Sequence, residues 1–162
     1  MPTQVSGDVE LSPIGGEPTT VEDWTSSFHL ALMVVDPFTH ESAWVLEQAG
    51  QMLRHYAEAD CRTAWLVTGS EGNARQFLGP WATEMLTFTD PGREAVTALE
   101  LETLPAFVVI NADHAVDVAA QGWDPAEWQE VADRLAGVMS WTAPNVIQLG
   151  GPAPFEGSPA AG

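Results

Sequence analysis

The sequence predicts an α/β fold, a mixed central sheet with helices packed on both faces. Three observations predict it. Short apolar runs of strand length alternate with segments of helical period along most of the chain. The runs "HLALMVV" (29–35) and "RTAWLV" (62–67) are largely apolar rather than alternating, as in strands covered on both sides. Late in the chain, "AFVVINADHAVDVAAQ" (106–121) reads as two strands around the turn residues Asn111 to His114, a hairpin that adds antiparallel pairing.

The elements follow in order. A short element occupies residues 21–28, and "HLALMVV" is the first central strand. Val45, Leu46, Ala49, Met52, Leu53 and Tyr56 then recur at steps of three and four, one face of a helix whose polar residues point outward. The second strand ends at Gly69, and "NARQFLGPWATEM" is helical until Gly79 and Pro80 interrupt it. "MLTFTD" is a third strand. Asp90 as N-cap with Pro91 at the first helical position opens a helix through about Leu101. After the hairpin, Asp124, Pro125 and Glu127 form a capping-box-like start to a helix ending near Met139. The predicted order is β-α-β-α-β-α-β-β-α. Residues 21–142 form one domain, and residues 1–20 and 143–162, rich in Pro, Gly and Ser without periodicity, are expected to be tails. The second tail is expected to be extended or disordered, with Phe155 folding back over an apolar patch, or offering an extended ligand to a partner, as the alternatives.

Composition narrows the function. Twenty-three acidic residues against five arginines and no lysine give a net charge of −18, which repels phosphate backbones and anionic headgroups. Nucleic acid is excluded as a partner, and no apolar run approaches membrane-spanning length. The N-terminus lacks the basic start and apolar core of a signal peptide, and Cys61 is the single cysteine, so a cytoplasmic location is expected.

From about Phe28 to Leu135, the order and spacing resemble the thioredoxin-like superfamily, in the branch with an extra helix and strand (here 73–89) before a late proline. The segment "LETLPAFVVINADHAVDVAAQGWDPAEW" carries most of the resemblance, which implies that Pro105 is the cis-proline opening a strand and Gly122 the glycine before the last helix. The redox members carry C-x-x-C between the first central strand and its helix. Laid on this chain without gaps, that motif falls on Thr39, His40, Glu41 and Ser42. Dithiol exchange needs a thiolate and a resolving thiol, and Thr39 and Ser42 supply neither. They suit a structural role instead, in which Thr39 can cap the helix and Glu41 complements its positive end.

Other chemistry is sparsely indicated. Cys61 lies before the second strand without a cue for activation, and buried free cysteines behave as small hydrophobes. His40 and Glu41 are adjacent, so on a helix they diverge by about 100°, and His29, His55 and His114 lie on other elements. No metal site, cofactor or catalytic group is expected, and no phosphate-binding or nucleophile-elbow motif occurs. The resemblance implies instead a groove lined by Thr39, His40, Glu41, Ser42, Leu104, Pro105, Gly122 and Trp123, where an extended segment of a client protein or complex subunit pairs with the backbone beside the cis-proline. "LPAFVVI" followed by "GWDPAEW" is further similar to the thioredoxin-like hydrogenase assembly proteins, which implies a redox-inactive accessory or chaperone role in metalloenzyme assembly. The alternatives are a monothiol oxidoreductase or redox sensor using Cys61, and an interaction subunit recognising its partner through the Trp-bearing C-terminal region.

Overall fold

The computed structural model describes residues 3–162. Its elements are β1 (Thr3–Gln4), β2 (Glu10–Pro13), β3 (Thr19–Thr20), α1 (Val21–Trp24), β4 (His29–Val35), α2 (His40–Trp44), α3 (Leu46–His55), β5 (Cys61–Val67), α4 (Glu71–Leu78), α5 (Trp81–Glu84), β6 (Leu86–Thr89), α6 (Glu94–Ala98), β7 (Thr103–Leu104), β8 (Ala106–Ile110), β9 (Ala115–Gln121), α7 (Pro125–Met139) and β10 (Ser158–Pro159). The main sheet runs β1-β9-β8-β4-β5-β6-β2-β3. Its centre, β4-β5-β6, is parallel, and β8 joins β4 antiparallel.

The apolar run 29–35 is buried because both its faces are covered. Ala31, Met33 and Val35 pack with α3 and α7, while Leu30, Leu32 and Val34 pack with α6, Val21 of α1 and Leu11 of β2. The period-two alternation of a strand thus feeds two cores at once. Asp124 caps α7 by accepting from the Ala126 amide at 2.9 Å, with Pro125 at the first helical position. The helix predicted from Asp90 starts later, at Glu94. Asp90 reaches across the turn instead, and its buried carboxylate accepts from the Ala95 and Val96 amides at 3.1 and 3.0 Å. Burial pushes its pKa up, opposed by those two amides.

The expected N-terminal tail needs correcting. Residues 3–20 add β1 to β9 and β2 to β6, and Val5 and Leu11 are buried. The outer backbone groups of β6 and β9 would otherwise be bare sheet edges, and short strands cover them. Residues 1–2 of that expected tail lie outside the described residues. Residues 143–162 are mostly extended, apart from a 3-10 turn at Ile147–Leu149, and they are docked. Gln129 holds the first stretch, donating to the Pro144 carbonyl at 2.9 Å and accepting from the Val146 amide at 2.8 Å, and Val146 is fully buried.

All five arginines are engaged within the molecule. Arg54, Arg75, Arg93 and Arg134 pair with Glu84, Glu71, Asp36 and Asp117, and the Arg62 guanidinium lies over the rings of Trp24 and Phe28. The acidic excess therefore faces solvent without a basic patch to offset it.

Candidate functional site

Three loops meet at the C-terminal end of β4. The first is the turn entering α2. Asp36 is buried there; its amide donates to Ser42 Oγ at 2.9 Å and its Oδ1 accepts from the Phe38 amide at 2.9 Å. These bonds fix the turn so that Thr39 takes the N-cap position in an extended conformation, without the side-chain cap the sequence suggested. Its hydroxyl donates instead to the Asp36 carbonyl at 3.4 Å. Ser42 is buried and Glu41 half-buried, His40 is exposed, and Phe38 and Trp44 are 65% and 54% exposed beside them.

The second loop is β7 and the start of β8, joined by a cis Leu104–Pro105 bond. The third is Gly122–Trp123, where the Gly122 amide donates to the Pro105 carbonyl at 2.8 Å. Gly122 has φ +75°. A Cβ there would lie 2.4 Å from the Glu156 carbonyl oxygen, so only glycine allows the chain to pass so closely.

Leu104 and Trp123 contribute differently from expectation. Both side chains are core, at 0% and 1% exposure. Trp123 packs edge-on to Trp128 at 4.9 Å between ring centroids, and its Nε1 donates to the Pro152 carbonyl at 2.9 Å. What these two residues offer the C-terminal segment beside them is backbone, a distinction that sequence alone does not carry.

Sequence reasoning gives no site role to Ser158, Arg93 or Asp36. Residues 155–160 run along these three loops. Trp123 and Phe155 exchange both main-chain hydrogen bonds, at 2.9 and 2.8 Å, and the Ala160 amide donates to the Glu102 carbonyl at 2.8 Å. Ser158 is paired antiparallel with Leu104. Its hydroxyl lies 3.3 Å from Thr39 Oγ1, so two hydroxyls meet at the first position of the absent thiol motif. The Phe155 ring meets the edge of Trp44 at 5.3 Å. Arg93, in a left-handed conformation at φ +61°, donates to the Ala160 carbonyl at 2.7 Å and to Asp36 Oδ2 at 3.0 Å. Phe155 is the single sequence signal of this docking.

Cys61 opens β5, opposite His29 at the N-terminal end of β4. It is thus a strand length, ~20 Å, from the motif turn. Its thiol is buried, donates weakly to the Tyr56 carbonyl at 3.8 Å, and is pushed up to about 11, first by burial and then by Asp60. Among the described residues no three metal-ligating side chains come together and no helix is long and apolar enough to cross a membrane.

No family model and no curated protein matches the chain, so the likeness to hydrogenase assembly proteins gains no support. Solved structures do match. One is a putative thiol:disulfide interchange protein DsbE from Chlorobium tepidum, 16% identical, with 86% of this chain and 98% of that one covered at a TM-score of 0.70. Another is a putative protein disulfide isomerase from Bacteroides thetaiotaomicron, 11% identical over 85% and 89% of the two chains, TM-score 0.68. A peroxiredoxin Q from Xanthomonas campestris is 14% identical over 83% and 92%, TM-score 0.63. The fold is thioredoxin-like, and at Thr39 and Ser42, the positions on which the exchange motif falls, this chain carries hydroxyls instead of thiols.

Proposed function

We propose that this thioredoxin-like chain is a redox-inactive binding protein that holds an extended segment of another protein, a client or complex subunit, along the Leu104–Pro105 edge. One observation carries the reading: the groove engages an extended strand through main-chain hydrogen bonds at Trp123 and Glu102, with hydroxyls where exchange chemistry would need sulfur. Main-chain pairing supplies attraction without a nucleophile, and the side chains around it supply selectivity. An accessory or chaperone role in the cytoplasm fits a chain whose one cysteine is buried and unpaired. The net charge of −18 disfavours nucleic acid.

The monothiol alternative is the weaker reading, because a buried thiol with a raised pKa is a poor nucleophile. The test has two arms. The purified chain should not accelerate insulin reduction by dithiothreitol, and an array of extended peptides should show binders that are lost in Thr39→Trp, a half-exposed position at the groove mouth. Catalysed reduction, or binding unchanged in Thr39→Trp, overturns the proposal.

A further inference from the structure

We propose that residues 155–160 are a self-ligand, which occupies the groove in the isolated chain and displays the pattern of the segment it gives way to: an aromatic residue, one free position, then Gly-Ser. The inference rests on the peptide-groove reading and adds to it the class of partner and its regulation.

Each position of the pattern has a physical reason. The aromatic position is set by Trp44, which is 54% exposed yet meets Phe155 edge to face at 5.3 Å. The glycine position is set by backbone. Gly157 has φ +94°, and a Cβ there would stand 2.4 Å from the Leu104 carbonyl oxygen and 3.3 Å from Gly122 Cα, so no larger residue fits the crossing. The serine position is buried, and its Oγ reaches Thr39 Oγ1 at 3.3 Å and the Leu104 carbonyl at 3.5 Å.

The free position is where the self-ligand is poorly matched. Glu156 lines a shallow depression with Asp124 and Glu127, so its charge has the same sign as its surroundings. A partner segment with Lys or Arg at that position brings the opposite charge there. The preferred partner is therefore an extended segment reading aromatic-basic-Gly-Ser, consistent with a molecule whose arginines are all engaged internally.

The docked segment is also suited to leave. Pro154, Glu156 and Pro159 are exposed, so beside its main-chain hydrogen bonds and the Arg93 bond to Ala160 the segment is held by three side chains only, Phe155 packed on the core and the buried Ser158 and Ala160. Segments held in this way open at the low end of a protein's stability range. Tethering still gives the self-ligand an effective concentration of about millimolar, which sets the handicap a free competitor must overcome.

The test uses fluorescein-labelled Pro-Phe-Glu-Gly-Ser-Pro-Ala-Ala, the same peptide with Lys for Glu, and a scrambled control, read by fluorescence polarisation. Three proteins are compared: the full chain, a chain ending at Ala153, and the full chain carrying Gly157→Val. The shortened chain and Gly157→Val should each bind the native peptide at least tenfold more tightly than the full chain. The Lys peptide should bind several-fold tighter still at low salt, with the advantage shrinking as salt rises. Equal binding by all three proteins, or equal binding of the scrambled peptide, overturns the assignment. If near-UV circular dichroism shows that shortening unfolds the domain, Gly157→Val decides alone. A folded variant that ignores both peptides but binds other sequences on the array leaves the groove reading standing and removes the self-ligand; one that binds nothing removes both.

Discussion

Trp123→Ala should destabilise the domain strongly, although a sequence-level reading would choose it as a clean probe of partner binding. The indole is 1% exposed, packs on Trp128 at 4.9 Å, and donates to the Pro152 carbonyl at 2.9 Å. Truncating a buried tryptophan costs ~3–5 kcal/mol, a large share of the roughly 5–15 kcal/mol by which domains are stable. For a chain of this size each kcal/mol moves the melting temperature by about 2–4 °C, so the fall should be on the order of 6–20 °C. Urea unfolding followed by far-UV circular dichroism, with unchanged m, measures it directly. Trp123→Phe separates bulk from bond: it keeps an aromatic ring and loses the hydrogen bond, typically worth about 0.5–1.5 kcal/mol. A Trp123→Ala variant less than ~1 kcal/mol below the parent would refute the claim that the side chain is core and that only its backbone serves the groove.

Three further outcomes are expected. Thr39→Cys with Ser158→Cys should form an internal disulfide with glutathione disulfide as oxidant, since the native hydroxyls are 3.3 Å apart; intact mass falls by two hydrogens, and peptide binding is blocked until reduction. Cys61, with its thiol near 11, is ~0.1% thiolate at pH 8, so iodoacetamide should label it over a hundred-fold more slowly than free cysteine, and rapid labelling of the folded chain would contradict its burial. Asp117 is held below the usual carboxylate range, first by the Arg134 hydrogen bond; its contribution is present above about pH 3.9 and lost as pH falls through the depressed value. Arg134→Gln should therefore lower the urea midpoint at pH 7 and converge with the parent near pH 2, whereas an equal deficit at both pH values would contradict the linkage.

The central architecture was legible because burial on both faces writes itself into composition. "HLALMVV" matches β4, and the Asp124–Pro125 start marks α7, whose hydrogen-bonding needs leave a local signature. The edge strands were not legible. Pairing over two residues, as in β1 and β3, needs no apolar period, and polar stretches of that length read like any turn. The motif turn and the late proline could be placed by likeness, but the inward direction of Leu104 and Trp123 depends on packing between distant segments. The docked segment 155–160 was hidden for the same reason: main-chain bonds and a glycine crossing have no side-chain pattern, and Phe155 alone hinted at them.

The internal engagement of every arginine has a consequence for how copies of the molecule meet. Approaching one another, two such polyanions find no cationic patch to bridge them, and their mutual field grows as counterions are diluted. Exchange of residues 155–160 between neighbours is thereby penalised while docking within one molecule is not. The same charge keeps siblings apart.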